Sequence, residues 1–206
     1  MPRGNTPRIE TVAERPILNM ILEAIVTTCD SAGRVNVAPM GPLVPAEGTG
    51  MVLRPFRTST TYQNLRENPC GVIHVTDDVL LLARGAIGRI DPPPELVPIP
   101  GAKAFRLADC CRWHYFEVEQ LDDSRERTTL TCRLVSEGRV RDFFGLNRAM
   151  HAVVEAAILA TRVEILPREE LLAPLPGLQT LVEKTGGPRE HEAFALLRSY
   201  IEERLS

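Results

Sequence analysis

Along the first two-thirds of the chain the apolar residues come in short unbroken runs or alternate with polar ones, whereas after Asn147 they recur at every third or fourth position. The first pattern has the period of a strand and the second that of a helix. ILEAIVTTC (21–29) predicts a strand, DSAGR a turn, and RVNVAPMGPLV (34–44) the antiparallel partner that completes a hairpin. After the Gly-rich turn EGTG, MVLRPF (51–56) predicts a third strand. TSTTYQNLRENP (58–69) then predicts a helix that stops at Asn68-Pro69, with Thr60 and Gln63 as a capping box at its start. CGVIHVT (70–76) is apolar and β-branched enough for a strand buried on both faces, and DDVLLLARGAI (77–87) predicts a short helix behind two aspartates. DPPPELVPIP (91–100) predicts an irregular rim segment, because proline removes a backbone donor and fixes φ. RWHYFEVEQLDD (112–123) and RERTTLTCRLVSEGRV (125–140) alternate as antiparallel strands with one wet face do.

The last third predicts helices: NRAMHAVVEAAILATRVEI (147–165), EELLAPLPGLQTLVEK (169–184) on both sides of a proline break, and PREHEAFALLRSYIEERL (188–205). The expected architecture is α+β and mainly β, with an antiparallel domain over residues 15–145 followed by a helical tail over 146–206 packed on it. In the final helix Phe194, Leu197, Tyr200 and Ile201 share one face, expected to pack on the chain's own β domain.

A chain of 206 residues that is 44% hydrophobic can bury a substantial core. Its 24 basic and 27 acidic residues leave a net charge of -3, which removes the broad attraction to nucleic acid that a basic domain would have, so any anion site must be local. The opening segment lacks the apolar run of a secretory signal, and no charge-free stretch approaches the ~20 apolar residues of a membrane span. A cytoplasmic protein that binds no membrane is expected. Cys29, Cys70, Cys110, Cys111 and Cys132 are odd in number and lack CxxC spacing, so reduced thiols and no metal site are expected. Cys110 and Cys111 with His114 come nearest to a ligand group, but adjacent side chains in an extended segment point to opposite faces.

Three stretches carry candidate chemistry. In LRPFRTSTTYQNL (53–65), Arg54, Arg57, Thr58, Ser59 and Thr61 stand before a helix N-terminus, where uncommitted N–H groups and the helix dipole favour an anion. One hydroxyl is enough to cap a helix; the surplus leaves phosphate binding and simple capping both open. In VNVAPMG (35–41), Asn36 is polar within an apolar strand and Pro39 removes a ladder donor. The stretch is either an edge whose backbone groups meet a flat heterocycle or a strand that simply ends at proline. In the helix from Asn147, Arg148, His151, Glu155 and Arg162 form one stripe that either faces solvent or lines a cleft, with Asn147 and Arg148 at its N-terminus as further donors. No dinucleotide fingerprint, P-loop, nucleophile elbow or HExxH occurs, and His74 and His114 read as residues of strand core or face. No catalytic residue is identified, so in an enzyme of this sequence a cofactor would carry the chemistry.

ILEAIVTT, NVAPMG, LRPFRTSTTYQNL followed by CGVIHVTDD, and FFGLNRAMHAVVEAAILATR together resemble a family of the FMN-binding split-barrel superfamily, the flavin reductase-like "domain of unknown function 447". The resemblance runs from about Glu23 to Arg162 and implies an antiparallel Greek-key split barrel, a homodimer and FMN near the subunit interface. It implies that Arg54, Thr58, Ser59 and Thr61 hold the flavin phosphate, that Asn36, Ala38, Pro39 and Met40 line the isoalloxazine ring, and that Asn147 and Arg148 close the site from one subunit or the other. A flavin-dependent oxidoreductase acting on a small molecule is the leading expectation. A non-catalytic FMN carrier or sensor, and a flavin-free ligand-binding or assembly module, are its rivals.

Overall fold

The computed structural model describes residues 20–45 and 50–206; the segment before Met20 and most of the EGTG turn lie outside them. Strands β1 (Met20–Ile21), β2 (Ala24–Cys29), β3 (Val35–Met40), β4 (Leu43–Val44) and β5 (Gly50–Leu53) precede helix α1 (Thr60–Glu67). Strand β6 (Cys70–Val75) and helix α2 (Val79–Ala86) follow, then β7 (Leu96–Pro98), β8 (Phe105–Leu107), β9 (Arg112–Asp122) and β10 (Thr129–Arg139). The chain closes with α3 (Arg148–Ala160), α4 (Arg168–Leu172), α5 (Leu175–Thr185) and α6 (Pro188–Leu205). Eight strands form one antiparallel sheet in the order β1-β4-β5-β10-β9-β6-β2-β3.

Val26 of β2, Leu53 of β5, Ile73 of β6, Phe116 of β9 and Leu130 of β10 are fully buried in one cluster, closed by Leu65 of α1. These strands span most of the sheet order, so the sheet curls around them as a half-barrel. Ile25, next to Val26 in β2, points the other way and joins the larger cluster formed by α2, α3, α5 and α6. The helical tail thus covers the outer face of the sheet while α1 plugs its inner face. Phe194, Leu197 and Ile201 of α6 are buried in that outer cluster and Tyr200 partly so, with α6 packed on α2, α3 and α5 rather than directly on the strands.

Predicted elements differ from the fold at several points: the run ILEAIVTTC is divided between Ile21 of β1, which pairs with β4, and β2 from Ala24. The run RVNVAPMGPLV is two strands, divided at Gly41-Pro42: β3 pairs with β2, whereas β4 pairs with β1 and β5. A Cβ at Gly41 would lie 2.7 Å from Ile21 Cγ2, so only glycine lets the chain pass β1 as it changes partner. The proline-rich segment, expected to be wholly irregular, contributes β7, which pairs with β8. Bonds from Ile99 N–H to Ala104 O at 2.9 Å and from Ala108 N–H to Glu95 O at 2.9 Å place Pro98 between bonded pairs, where its missing donor removes no ladder bond.

Candidate functional site

Asn36 of β3 faces Thr28 of β2 in register, and its Nδ2 donates to Thr61 Oγ1 of α1 at 3.2 Å. Beside it Asn64 Nδ2 donates to Thr28 Oγ1 at 3.1 Å. Thr28, Thr61 and Asn64 are buried, so the joint between the edge strand and the helix is a polar seam whose side chains satisfy one another. It brings together two groups expected from separate stretches of sequence.

At the start of α1 the N-cap is Ser59. Its Oγ accepts from Tyr62 N–H at 3.2 Å and donates to Phe56 O at 2.7 Å, so the expected capping box at Thr60 and Gln63 stands one residue too late. The Phe56 carbonyl sets that register, since it also accepts Ser59 N–H at 2.9 Å. The Ser59 hydroxyl is thereby engaged within the chain. The N–H groups of Thr60 and Thr61 find no acceptor among the described residues, and Arg54, Arg57 and Thr58 are exposed on the same loop. Amides, hydroxyls and guanidinium groups on one loop are the donor set a phosphate monoester requires.

The other half is the edge of the sheet, for among the described residues β3 pairs with β2 alone. Bonds from Asp30 N–H to Arg34 O at 3.1 Å and from Leu22 N–H to Pro42 O at 2.9 Å fix the alternation, so that the even-numbered residues of β3 bond to β2. The N–H and C=O groups of Val35 and Val37 therefore face outward, and the donor that Pro39 lacks falls on the open side. Beyond this edge lies a cleft of about 400 Å³ lined by Val35 to Ala38, Gly85, Gly88, Ile90, Pro93, Pro94 and Leu96. Alternating backbone donors and acceptors under apolar walls suit a flat heterocycle with a polar rim. A Cβ at Gly85 would meet Pro39 Cδ at 2.8 Å, so glycine in α2 lets the helix approach the strand. Ala38 pairs with Val26 and thus shares its inward face, and Met40 packs against the barrel core rather than into the cleft.

The structure does not bring Asn147 and Arg148 into this group within one chain. Asn147 caps α3, accepting from Ala149 N–H at 2.7 Å and donating to Thr185 O at 2.9 Å, which ties α3 to the end of α5 on the outer face. Arg148 is exposed beside it, and His151, Glu155 and Arg162 are exposed along the same stripe. His74 is fully buried, with Nδ1 3.0 Å from Ile25 O and Nε2 accepting Leu107 N–H at 3.0 Å. Both nitrogens are engaged and burial pulls its pKa down to about 4, so it is a neutral structural pin. His114 Nδ1 lies 3.0 Å from the Glu137 carboxylate without hydrogen-bond alignment, and burial lowers its pKa. Cys110 is packed under the helical tail, its thiol pushed up to about 11 by burial. Among the described residues no three His, Cys, Asp or Glu side chains are grouped as metal ligands, and no helix is long and apolar enough to cross a membrane.

The turn between β9 and β10 is expected from the sequence, but its bonds to the loop before α1 are not. Arg57 N–H donates to Glu126 O at 2.9 Å, Thr128 N–H and Oγ1 donate to Pro55 O at 3.0 and 2.8 Å, and Tyr62 Oη donates to Asp123 Oδ2 at 2.8 Å. These bonds hold the loop before α1. Some seventy residues separate the partners, and only the pairing of β10 with β5, with Leu130 opposite Leu53, brings them together.

The N-terminal domain model of DUF447, a protein of unknown function, matches residues 22–141, and a second DUF447 model matches residues 147–199. The crystal structure of an FMN-bound DUF447 protein from Methanosarcina mazei is 25% identical with a TM-score of 0.76, over 90% of this chain and 97% of that one. The styrene monooxygenase flavin reductase from Pseudomonas putida S12 is 15% identical with a TM-score of 0.51, over 60% of this chain and 82% of that one. The flavin reductase HpaC, solved with NADP+, is 12% identical with a TM-score of 0.50, over 62% and 85% respectively. The fold is the flavin reductase-like split barrel, with added C-terminal helices.

Proposed function

The chain belongs to the DUF447 family, and from that premise we propose that it binds FMN and works as a flavin-dependent oxidoreductase on a small molecule. The observation that carries the reading is the Asn36–Thr61 bond, which fastens the edge strand β3 to the helix start where the amides of Thr60 and Thr61 find no acceptor among the described residues. The donors at the two ends of that joint differ in kind, as the two ends of FMN do. Arg54, Arg57, Thr58 and the first-turn amides of α1 would hold the phosphate, and the outward backbone groups of Val35 and Val37 would orient the ring. The FMN-bound relative from Methanosarcina mazei supports the assignment. When bound, FMN supplies the electron-transfer chemistry. Pro93, Pro94, Gly85 and Gly88 around the cleft would cover one side of a bound ring, and His74, with both nitrogens engaged, would be a structural group rather than a proton carrier.

The working unit in this reading is a homodimer. Phe144 is 96% and Leu146 86% exposed on the segment joining β10 to α3, apolar surface that a second copy would cover. Arg148 lies just beyond that segment and would reach a partner's site. Anaerobic titration of the FMN-loaded protein with NADH and with NADPH tests the activity. Bleaching of the visible flavin band, reversed by air, is expected; retention of the oxidised spectrum with every donor would make the protein a carrier or sensor.

A further inference from the structure

We infer that Arg127, in the turn before β10, is a third guanidinium of the phosphate site and sets preference for FMN over unphosphorylated flavin. The inference rests on the FMN reading. Arg127 Nε donates to Arg54 O at 3.1 Å, and its guanidinium carbon stands 5.5 Å over the Phe56 ring. Phe56 and Arg127 also form an isolated antiparallel bridge, so the backbones of the two loops run side by side. The side chain is held at two points, by the Arg54 carbonyl through Nε and by an aromatic face, on the loop that carries Arg54, Arg57 and Thr58.

That arrangement separates the two functions of a guanidinium. Nε serves the fold, and no hydrogen bond from Nη1 or Nη2 of Arg127 occurs among the described residues. A planar fork pre-organised in this way loses little freedom when it meets phosphate oxygens. Solvent reaches it, so its share of the attraction is modest and weakened by salt. The net charge of -3 gives this cluster its meaning, because the protein has no general excess of positive charge to attract a phosphate dianion. The neighbouring Glu126 is used through its backbone oxygen, which accepts Arg57 N–H at 2.9 Å. The turn thereby aligns Arg57 while Arg127 aligns Arg54.

The test compares FMN and riboflavin binding to the full-length apoprotein at two ionic strengths, for the wild type, Arg127→Met, Arg127→Lys and Arg54→Ala. Arg127→Met is expected to weaken FMN binding about tenfold, to leave riboflavin binding unchanged and to reduce the salt dependence for FMN. Arg127→Lys, which keeps the charge, should recover most of the salt dependence. A merely structural Arg127 would leave the salt dependence as it is, and that result overturns the inference, as does unchanged FMN affinity. If Arg54→Ala discriminates against FMN while Arg127→Met does not, the phosphate site stands without Arg127. If neither substitution alters the preference, the FMN reading of this loop fails as well.

Discussion

Two regions of the molecule gather polar groups, and they treat them in opposite ways. The polar groups that fasten the outer layer are used up in pairs: both ring nitrogens of His74 are bonded, and Arg141 is paired with Asp77 and with Asp109 at 2.7 Å, tying the chain just past β10 to the loops before α2 and after β8. At the junction of β3 and α1 the side chains of Asn36, Thr61, Asn64 and Thr28 satisfy one another, but backbone donors beside them, at Val35, Val37, Thr60 and Thr61, find no acceptor among the described residues. Buried, closed networks stabilise a fold. A site needs donors that folding leaves uncommitted, held still by neighbours that are satisfied. Titratable side chains alone are therefore a poor guide here, since the most buried histidine has no free nitrogen.

The sharpest way to break this contrast is to remove a member of the closed region. His74→Ala should cost about 3–5 kcal/mol in chemical denaturation, through lost volume and the stranded Leu107 N–H. The same histidine predicts a pH effect of comparable size. Its folded pKa of about 4 lies below the unfolded 6.5, so the unfolded state binds more protons between these values. Its contribution is whole above pH 6.5 and declines as pH falls toward 4, by roughly 3 kcal/mol in all. Denaturant midpoints at pH 7.5 and 5 should differ in the wild type and differ less in His74→Gln.

On the open side the order of effects is reversed. Arg54→Ala should weaken FMN binding by about 1.5–3 kcal/mol, measured by fluorescence quenching, with unfolding free energy within ~0.5 kcal/mol of wild type. The smallest effect tests the seam between the regions. Thr61→Val removes the acceptor of Asn36 Nδ2 and should lower both stability and FMN affinity by about 1 kcal/mol. A change in only one of the two would mean that the seam does not couple strand edge to helix.

Much of this was legible in the sequence because local rules and the fold agree. The β2–β3 hairpin, the edge marked by Pro39, the strand from Cys70 and the amphipathic α6 follow from periodicity and proline placement. The helix cap was misplaced by one residue because Ser59 and Thr60 are both competent caps, and the choice is made by the Phe56 carbonyl. Asn147 reads as a ligand donor in sequence, yet its side chain is taken by a carbonyl at Thr185, an assignment that requires knowing where α5 ends. The β9–β10 turn is legible, but its partnership with the loop before α1 left no trace, since it is a product of strand register.

The central claim is that uncommitted donors at the β3–α1 junction form a flavin phosphate and ring site. The most direct measurement is the visible spectrum of the freshly purified protein, with the mass of any released chromophore, followed by reconstitution of wild type and Arg54→Ala with FMN. A flavin band, an FMN mass and loss of retention in Arg54→Ala are predicted. A colourless protein that takes up no added FMN, or one that retains FMN equally with and without Arg54, would contradict the assignment.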